Sequence, residues 1–323
     1  MSQILFEYHP EIGYKFIPNL KERIMHESGG YLLRTNSQGF RSDFEFEQNK
    51  TKKRVLLFGD SFTAADGVSN NKRYSDLLQK CHDDVEVYNF GLPGSGTDQQ
   101  YLIYREYGKR YDCDLIIISV LVENIRRANS KYRYYYDGDG NELVQEKPYF
   151  EIIRGDLKLS NTPVSKKPVN PENLNKTERL QIDTGGRFQF VRNLIIKFGF
   201  KEVFQRIFKY QPVPEYSKSS NREWVKMKMI LEKWIDEIDV PVIIMPIPLY
   251  QHIEGTSDFS AVRKRFEELK SPKVEISDLM WHIEKSEIVN KRDFRFINDV
   301  HPTPLFHEVI ADNLNSLIIK YLY

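Results

Sequence analysis

Residues 54–67 read RVLLFGDSFTAADG, and the architecture of the chain can be worked out from them. The apolar run from Arg54 to Phe58 has the length of a strand and stops at Gly59. A helical pattern follows, with Tyr74, Leu77, Leu78 and Cys81 at i, i+3, i+4 and i+7. Strand, turn and helix therefore succeed one another here.

The unit recurs along the chain. Val85 to Phe90 reads as a strand and leads into a Gly-rich loop, after which Thr97 is placed to cap a helix running through Gln100, Tyr104 and Tyr107. Leu115 to Leu121 (LIIISVL) is continuous enough to be a strand buried on both faces. Val240 to Ile247 is a fourth strand, preceded by a helix with apolar face Met227, Ile230, Leu231, Trp234, Ile235 and Ile238, and Val274 to Ile276 is a fifth. A terminal helix capped by Thr303 and begun by Pro304 is faced by Phe306, Ile310, Leu314, Leu317 and Tyr321. Alternating strands and helices predict an α/β, flavodoxin-like three-layer sandwich on a parallel sheet of about five strands.

Two regions fall outside this rhythm. Residues 1–53 hold short aromatic stretches broken by Pro10, Pro18, Gly29, Gly30 and Gly39, which predicts an N-terminal extension of small strands and turns ahead of a main domain at 54–323. Between the third and fourth strands lie about 115 residues, far more than a crossover needs, so a cap insertion is expected over about 125–239. It contains an Asp-Gly-Asp-Gly turn (137–140) between β-rich segments. A polar, Pro/Asn/Lys-rich middle follows, then helical faces at Phe188, Val191, Leu194, Ile195 and Phe198 and at Phe204, Ile207 and Phe208.

Composition narrows the function classes. The 323 residues are 40% hydrophobic and 29% charged, as in ordinary globular proteins, and 47 Lys plus Arg against 46 Asp plus Glu leave no electrostatic footprint for nucleic acid or an anionic membrane. Cys81 and Cys113 have neither CxxC spacing nor a ligand cluster around them, which suits a reducing compartment, and no metal or cofactor is expected. The start, MSQILFEYHPEIGYKF, lacks the pattern of a signal peptide, and no apolar run reaches spanning length. The expectation is a soluble cytoplasmic protein.

Ser61 follows the first strand, where a hydroxyl is presented at the carboxyl edge of the sheet beside helix N-terminal NH groups able to hold an oxyanion. An ordinary helix cap with a turn glycine gives the same pattern. Three later segments bear on the choice: NFGLPGSGT (89–97), VENI (122–125) and NDVHPT (298–303), each just past a strand or before a helix.

Together with GDSFT (59–63), these segments resemble, in order, four sequence blocks of the SGNH hydrolases, also called GDSL-like esterases and lipases. The resemblance covers about residues 54–323. It implies Ser61 as nucleophile, His301 as base, and an oxyanion hole formed by the NH groups of Ser61 and Gly94 and the side-chain amide of Asn124. Chemically, serine needs an imidazole to take its proton and a carboxylate to hold that imidazole, and Asp299 with His301 supplies both. The commonest family spacing puts Asp three residues before His, where this chain has Asn298. The shorter Asp-x-His spacing occurs in relatives acting on polysaccharide acetyl groups. Asp299 is therefore assigned as the orienting acid, with Asn298 as the alternative acceptor. Glu123 and Ile125 also depart from the family pattern around Asn124.

Arg126, Arg127, Lys131 and Arg133 are interleaved with Tyr132, Tyr134, Tyr135 and Tyr136 beside Asn124. Guanidinium forks and aromatic faces of this kind suit an anionic or sugar-bearing substrate, and equally cap packing with salt bridges. His252 emerges after the fourth strand as a further substrate contact or plain loop polarity, and His307 reads as a packing or surface histidine. The expected function is a serine esterase removing, or transferring, an O-acyl group. The resemblance implies O-acetyl on a carbohydrate or glycan intermediate. The alternatives are a glycan O-acyltransferase, a lipase or thioesterase, and a catalytically weak glycan-binding protein.

Overall fold

The computed structural model describes residues 5–136, 142–174, 211–288 and 290–323. Its first four strands, β1 (Phe6–His9), β2 (Gly13–Phe16), β3 (Lys21–Ile24) and β4 (Tyr31–Arg34), pair as two antiparallel hairpins. Next come β5 (Lys53–Phe58), β6 (Val85–Asn89) and β7 (Leu115–Leu121). The insertion carries the hairpins β8 (Tyr132–Tyr136)/β9 (Glu142–Glu146) and β10 (Tyr149–Ile153)/β11 (Asp156–Ser160), and the chain returns through β12 (Val242–Ile247) and β13 (Val274–Ile276). The helices are α1 (Ser61–Ala64), α2 (Tyr74–Cys81), α3 (Thr97–Glu106), α4 (Asn124–Asn129), α5 (Arg222–Asp236), α6 (Tyr250–Ile253), α7 (Ser260–Glu267), α8 (Leu279–Lys285) and α9 (Pro304–Leu322).

The main sheet is parallel throughout, in the order β6-β5-β7-β12-β13, which is the flavodoxin-like order. Every residue of β7 is buried, as its apolar run, broken only by Ser119, requires. Register fixes what covers each face. Phe58 pairs with Ile118, and Phe58 packs against Trp234 of α5 at 5.3 Å and Tyr104 of α3 at 5.8 Å. One residue further along β7, Ser119 points the other way: its Oγ lies 3.0 Å from the Tyr74 hydroxyl of α2. Met245, paired with Ser119, meets the Asn313 side chain of α9. Helices α3 and α5 thus form one layer, and α2 and α9 the other.

Helix α5 is started by Asn221, whose side chain accepts from the NH groups of Glu223 and Trp224, and it buries Trp224, Met227, Ile230, Leu231, Trp234 and Ile235. The N-terminal residues join the same core. Phe46 stacks on Tyr88 of β6 with centroids 4.3 Å apart, and Phe40 packs edge-on to Phe90 at 4.8 Å. Within the insertion, Phe150 stacks on Tyr101 of α3, and buried Lys147 pairs with buried Asp98.

Several boundaries differ from the sequence expectation by one or two residues. The cap of α3 is Gly96, not Thr97. A Cβ at Gly96 would lie 3.0 Å from the backbone of Ala128 and of Arg127, so the close approach of α4 demands glycine there, and Gln99 Oε1 accepts from the Gly96 NH instead. Strand β12 starts at Val242, two residues later than expected. The 137–140 turn and the helical faces expected at 188–208 lie outside the described residues.

Candidate active site

The chain order of the sheet reverses between β5 and β7, and such a switch point opens a crevice at the strands' carboxyl ends. Ser61 leaves β5 there, and Asn124 leaves β7. The turn between Phe58 and Ser61 is tight: a Cβ at Gly59 would come within 2.7 Å of Thr63 Cβ and 3.0 Å of the Ser119 carbonyl oxygen. Asp60 is wholly buried and caps α1, its Oδ1 accepting from the Phe62 NH at 3.0 Å. At the other end of α1 the chain turns through Ala65 at φ +69°. There the buried Arg41 guanidinium donates to the carbonyls of Ala64 (2.8 Å), Ala65 and Val68. The hydroxyl of Ser61 makes no hydrogen bond to any described residue, and the residue is only 6% exposed.

The Gly-rich loop after β6 is bonded directly to this turn. Asn89 Nδ2 donates to the Thr63 carbonyl at 2.8 Å, and the Leu92 NH donates to the Gly59 carbonyl at 3.0 Å. Gly94 sits at φ +74°, a conformation that suits glycine. A Cβ there would meet Arg133 Nη2 at 2.9 Å and the Tyr14 hydroxyl at 3.3 Å. Tyr14 donates to the Pro93 carbonyl at 2.5 Å, so the first hairpin of the chain supports this loop.

Asn124 is fully buried at the start of α4. Its Oδ1 accepts from Arg127 Nη1 at 3.0 Å, and the same Nη1 donates to Asp60 Oδ2 at 2.9 Å. Arg127 therefore ties the residue before Ser61 to Asn124. With Oδ1 occupied, Asn124 Nδ2 is left as a buried donor without a partner among the described residues, a state that a developing oxyanion would relieve.

His301 reaches the same place from the far end of the chain, its ring 5.7 Å from that of Phe62, the residue after Ser61. Asp299 Oδ1 accepts from its Nδ1 at 2.6 Å and from its backbone NH at 3.1 Å. The other ring nitrogen, Nε2, lies 3.9 Å from Asp66 Oδ2, and no hydrogen bond joins it to Ser61. Burial pulls the His301 pKa down, but the Asp299 hydrogen bond and the charges of Asp66, Asp299 and Asp60 outweigh it and leave the imidazole above its ordinary value. For Asp299, burial raises the pKa, while the hydrogen bonds from His301 and His26 prevail and hold it well below the carboxylate range. Asp66 stands raised, by burial first and by Asp299 and Asp60 beside it, against the pull of His301 and Arg41.

The remaining sequence candidates scatter. Arg126 donates to Glu215 Oε1 and to the Pro212 carbonyl, each at 2.6 Å, which binds α4 to the segment before α5. The Arg133 guanidinium lies 3.8 Å over the Tyr14 ring beside Gly94. His252 is buried against Phe259, with Nδ1 accepting from the Leu249 NH at 3.2 Å, and burial lowers its pKa to about 4. His307 is wholly buried under Tyr74, and its pKa falls to about 3, by burial first and then by Arg41. Asn298 turns its side-chain amide to Glu27 at 3.2 Å, so Asp299 is the side chain on His301. Asp66, Arg41, Tyr14, His26 and Glu27 all touch the site or its loops, and none carries a periodicity or motif that would single it out. Among the described residues, no group of His, Cys, Asp or Glu is arranged to hold a metal ion, and no helix is long and apolar enough to cross a membrane.

No family model matches the sequence, and no curated protein matches it. Solved structures similar to this chain include a member of the lipolytic protein G-D-S-L family from Veillonella parvula, at 13% identity and TM-score 0.41, covering 83% of this chain and 99% of that one. A lipase/acylhydrolase from Enterococcus faecalis is similar at 14% identity and TM-score 0.44, covering 82% of this chain and 95% of that one. The psychrotrophic esterase EstA from Pseudoalteromonas sp. is similar at 13% identity and TM-score 0.41, covering 84% of this chain and 99% of that one.

Proposed function

We propose that the protein is an SGNH-type serine esterase that acts on an O-acyl group. The observation carrying this reading is the Asp299–His301 pair, bonded at 2.6 Å and brought from the end of the chain onto the turn that bears Ser61. Ser61 Oγ attacks the acyl carbonyl carbon while His301 Nε2 takes its proton, and Asp299 holds Nδ1–H and the resulting cation. The carbonyl oxygen becomes an oxyanion, received by the NH groups of Ser61 and Gly94 and by Asn124 Nδ2, whose lack of any other partner suits it to this task. Collapse expels the alcohol, which takes the proton back from His301. Water then attacks the acyl-serine by the same steps and releases the acid. An acceptor hydroxyl in place of water makes the reaction a transfer.

The substrate we infer is an O-acetyl group on a carbohydrate or glycan intermediate, supported by the Asp-x-His spacing of NDVHPT. A second reading, a glycan-binding protein with weak catalysis, is favoured by one feature: His301 Nε2 faces Asp66 and is not bonded to Ser61.

A fluorophosphonate separates the two. Covalent labelling at Ser61, suppressed by His301→Ala, is expected, together with hydrolysis of short acyl esters and acetylated sugars. Asp299→Asn should lower turnover by about 10³–10⁴-fold through the wrong imidazole tautomer, with Asn298→Ala costing far less. A folded protein that takes no label would leave the binding reading standing. Free acetate measured against acetylated sugar, with and without sugar acceptors, separates hydrolase from transferase.

A further inference from the structure

The loop between β3 and β4, 26-HESGG-30, has no apolar pattern and lies at the other end of the sequence from Asp299. It nevertheless closes over the segment that carries Asp299. The His26 ring packs edge-on to Phe296 at 4.5 Å and to Tyr31 at 5.9 Å. Gly67, just past the Ser61 turn, completes the interlock: a Cβ there would meet Phe296 at 2.6 Å and His26 at 3.3 Å.

Hydrogen bonding settles the tautomer of His26. Its Nδ1 accepts from the Ser28 backbone NH at 3.2 Å, and because an amide NH can only donate, Nδ1 must carry a lone pair. The proton of the neutral ring is therefore on Nε2, which donates to Asp299 Oδ2 at 3.1 Å. Asp299 thus receives His301 on one oxygen and His26 on the other. The Glu27 carboxylate accepts from the backbone NH groups of Asn298 and Asp299, each at 2.9 Å, and from Asn298 Nδ2.

We propose that His26 and Glu27 are positioning residues for the Asp299–His301 pair: His26 Nε2–H fixes the carboxylate plane, and Glu27 fixes the backbone that carries it. The N-terminal extension is then a working part of the site. The proposal rests on the reading of His301 as the general base. A second donor on Asp299 does two things. It holds the carboxylate's second oxygen while His301 Nδ1 and NH keep their own hold on Oδ1, and it draws down the carboxylate's basicity, so that the imidazolium of His301 is less stabilised than with Asp299 alone. The charged and titratable groups facing the pair are Asp66 and Asp60 beside His301, His307 and Arg41 behind them, Glu27 beside His26, and the Tyr31 and Tyr250 hydroxyls toward Asp299.

The test is a histidine-¹⁵N NMR titration of the full chain, with the His301 signals assigned by their loss in His301→Ala. It is run on the wild type, His26→Leu, His26→Asn and His26→Gln, alongside turnover of an aryl acetate. Glutamine places its amide nitrogen where imidazole Nε2 stood; asparagine reaches only as far as Nδ1. Leu and Asn should both move the His301 midpoint up, by about half a unit to one unit, and Gln should return it toward the wild-type value. Turnover should fall about 10-fold in Leu and Asn, less than the 10²–10⁴-fold a general base supplies, and recover in Gln. If Leu does not fold, the Asn and Gln pair decides. A His301 midpoint that stays put in a folded Leu or Asn variant, or moves equally in Gln, overturns the proposal. A wild type that hydrolyses no ester and takes no phosphonate overturns the esterase reading instead, while the NMR midpoints still decide the role of His26.

Discussion

Asp66 gives His301 a second carboxylate neighbour, 3.9 Å from Nε2, opposite the one that Asp299 supplies at Nδ1. In the proposed mechanism His301 must be neutral to accept the proton of Ser61, and carboxylates on both sides favour the cation. The acid limb of kcat/KM should therefore have its midpoint above 6.5, the ordinary histidine value, with activity rising as pH rises through it. Asp66→Asn removes one of the stabilising charges at little change in volume. The midpoint is expected to move down by about half a unit to one unit in a pH–rate profile on a neutral ester. A limb that stays in place or moves upward would show that Asp66 is uncharged where His301 titrates.

Helix α4 is six residues long, and its two adjacent arginines point to different tasks. Arg127 faces the crevice and bridges Asp60 and Asn124; Arg126 faces the segment before α5 and pairs with Glu215. Asp60 is completely buried, so Arg127→Ala leaves a carboxylate without its counter-ion, at a cost of about 3–5 kcal/mol. It also frees the Asn124 amide to rotate, and under the proposed mechanism the loss of that oxyanion donor costs about 10²–10³-fold in kcat. Thermal melts and turnover on an aryl acetate should both fall for Arg127→Ala, and fall less for Arg126→Ala, whose partner Glu215 is partly exposed. Equal losses in the two variants would mean that α4 acts only as a brace between elements.

At the scale of the whole molecule, the N-terminal extension and the sheet share one core. Phe46, 4% exposed, stacks on Tyr88 and lies 5.2 Å from Phe90, so its truncation opens a cavity between the two parts. Phe46→Ala is expected to cost about 3–5 kcal/mol and to lower a single urea transition seen alike by near-UV and far-UV circular dichroism. An early separate transition would mark the extension as an independent unit. The amino-acid pattern alone located the strands of the α/β sheet. Leu115–Leu121 stands where its apolar run put it, because a strand buried on both faces must be almost wholly apolar, and Val274–Ile276 stands where two buried residues flank the partly exposed Glu275; Ser61, Asn124 and His301 are candidates that the motifs offered close to the starts of α1, α4 and α9. How those residues are held follows from contacts between segments far apart in the chain. Arg127, read as a substrate contact or a salt bridge, joins Asp60 to Asn124, and Gly96 replaces Thr97 as a cap because α4 crowds it. His26, Glu27, Arg41 and Asp66 gather around Asp299, His301 and the Ser61 turn through single hydrogen bonds and charges between loops far apart in sequence. Periodicity reports burial of an element's face; a polar contact between two loops has no period, and only the folded chain brings its partners within reach.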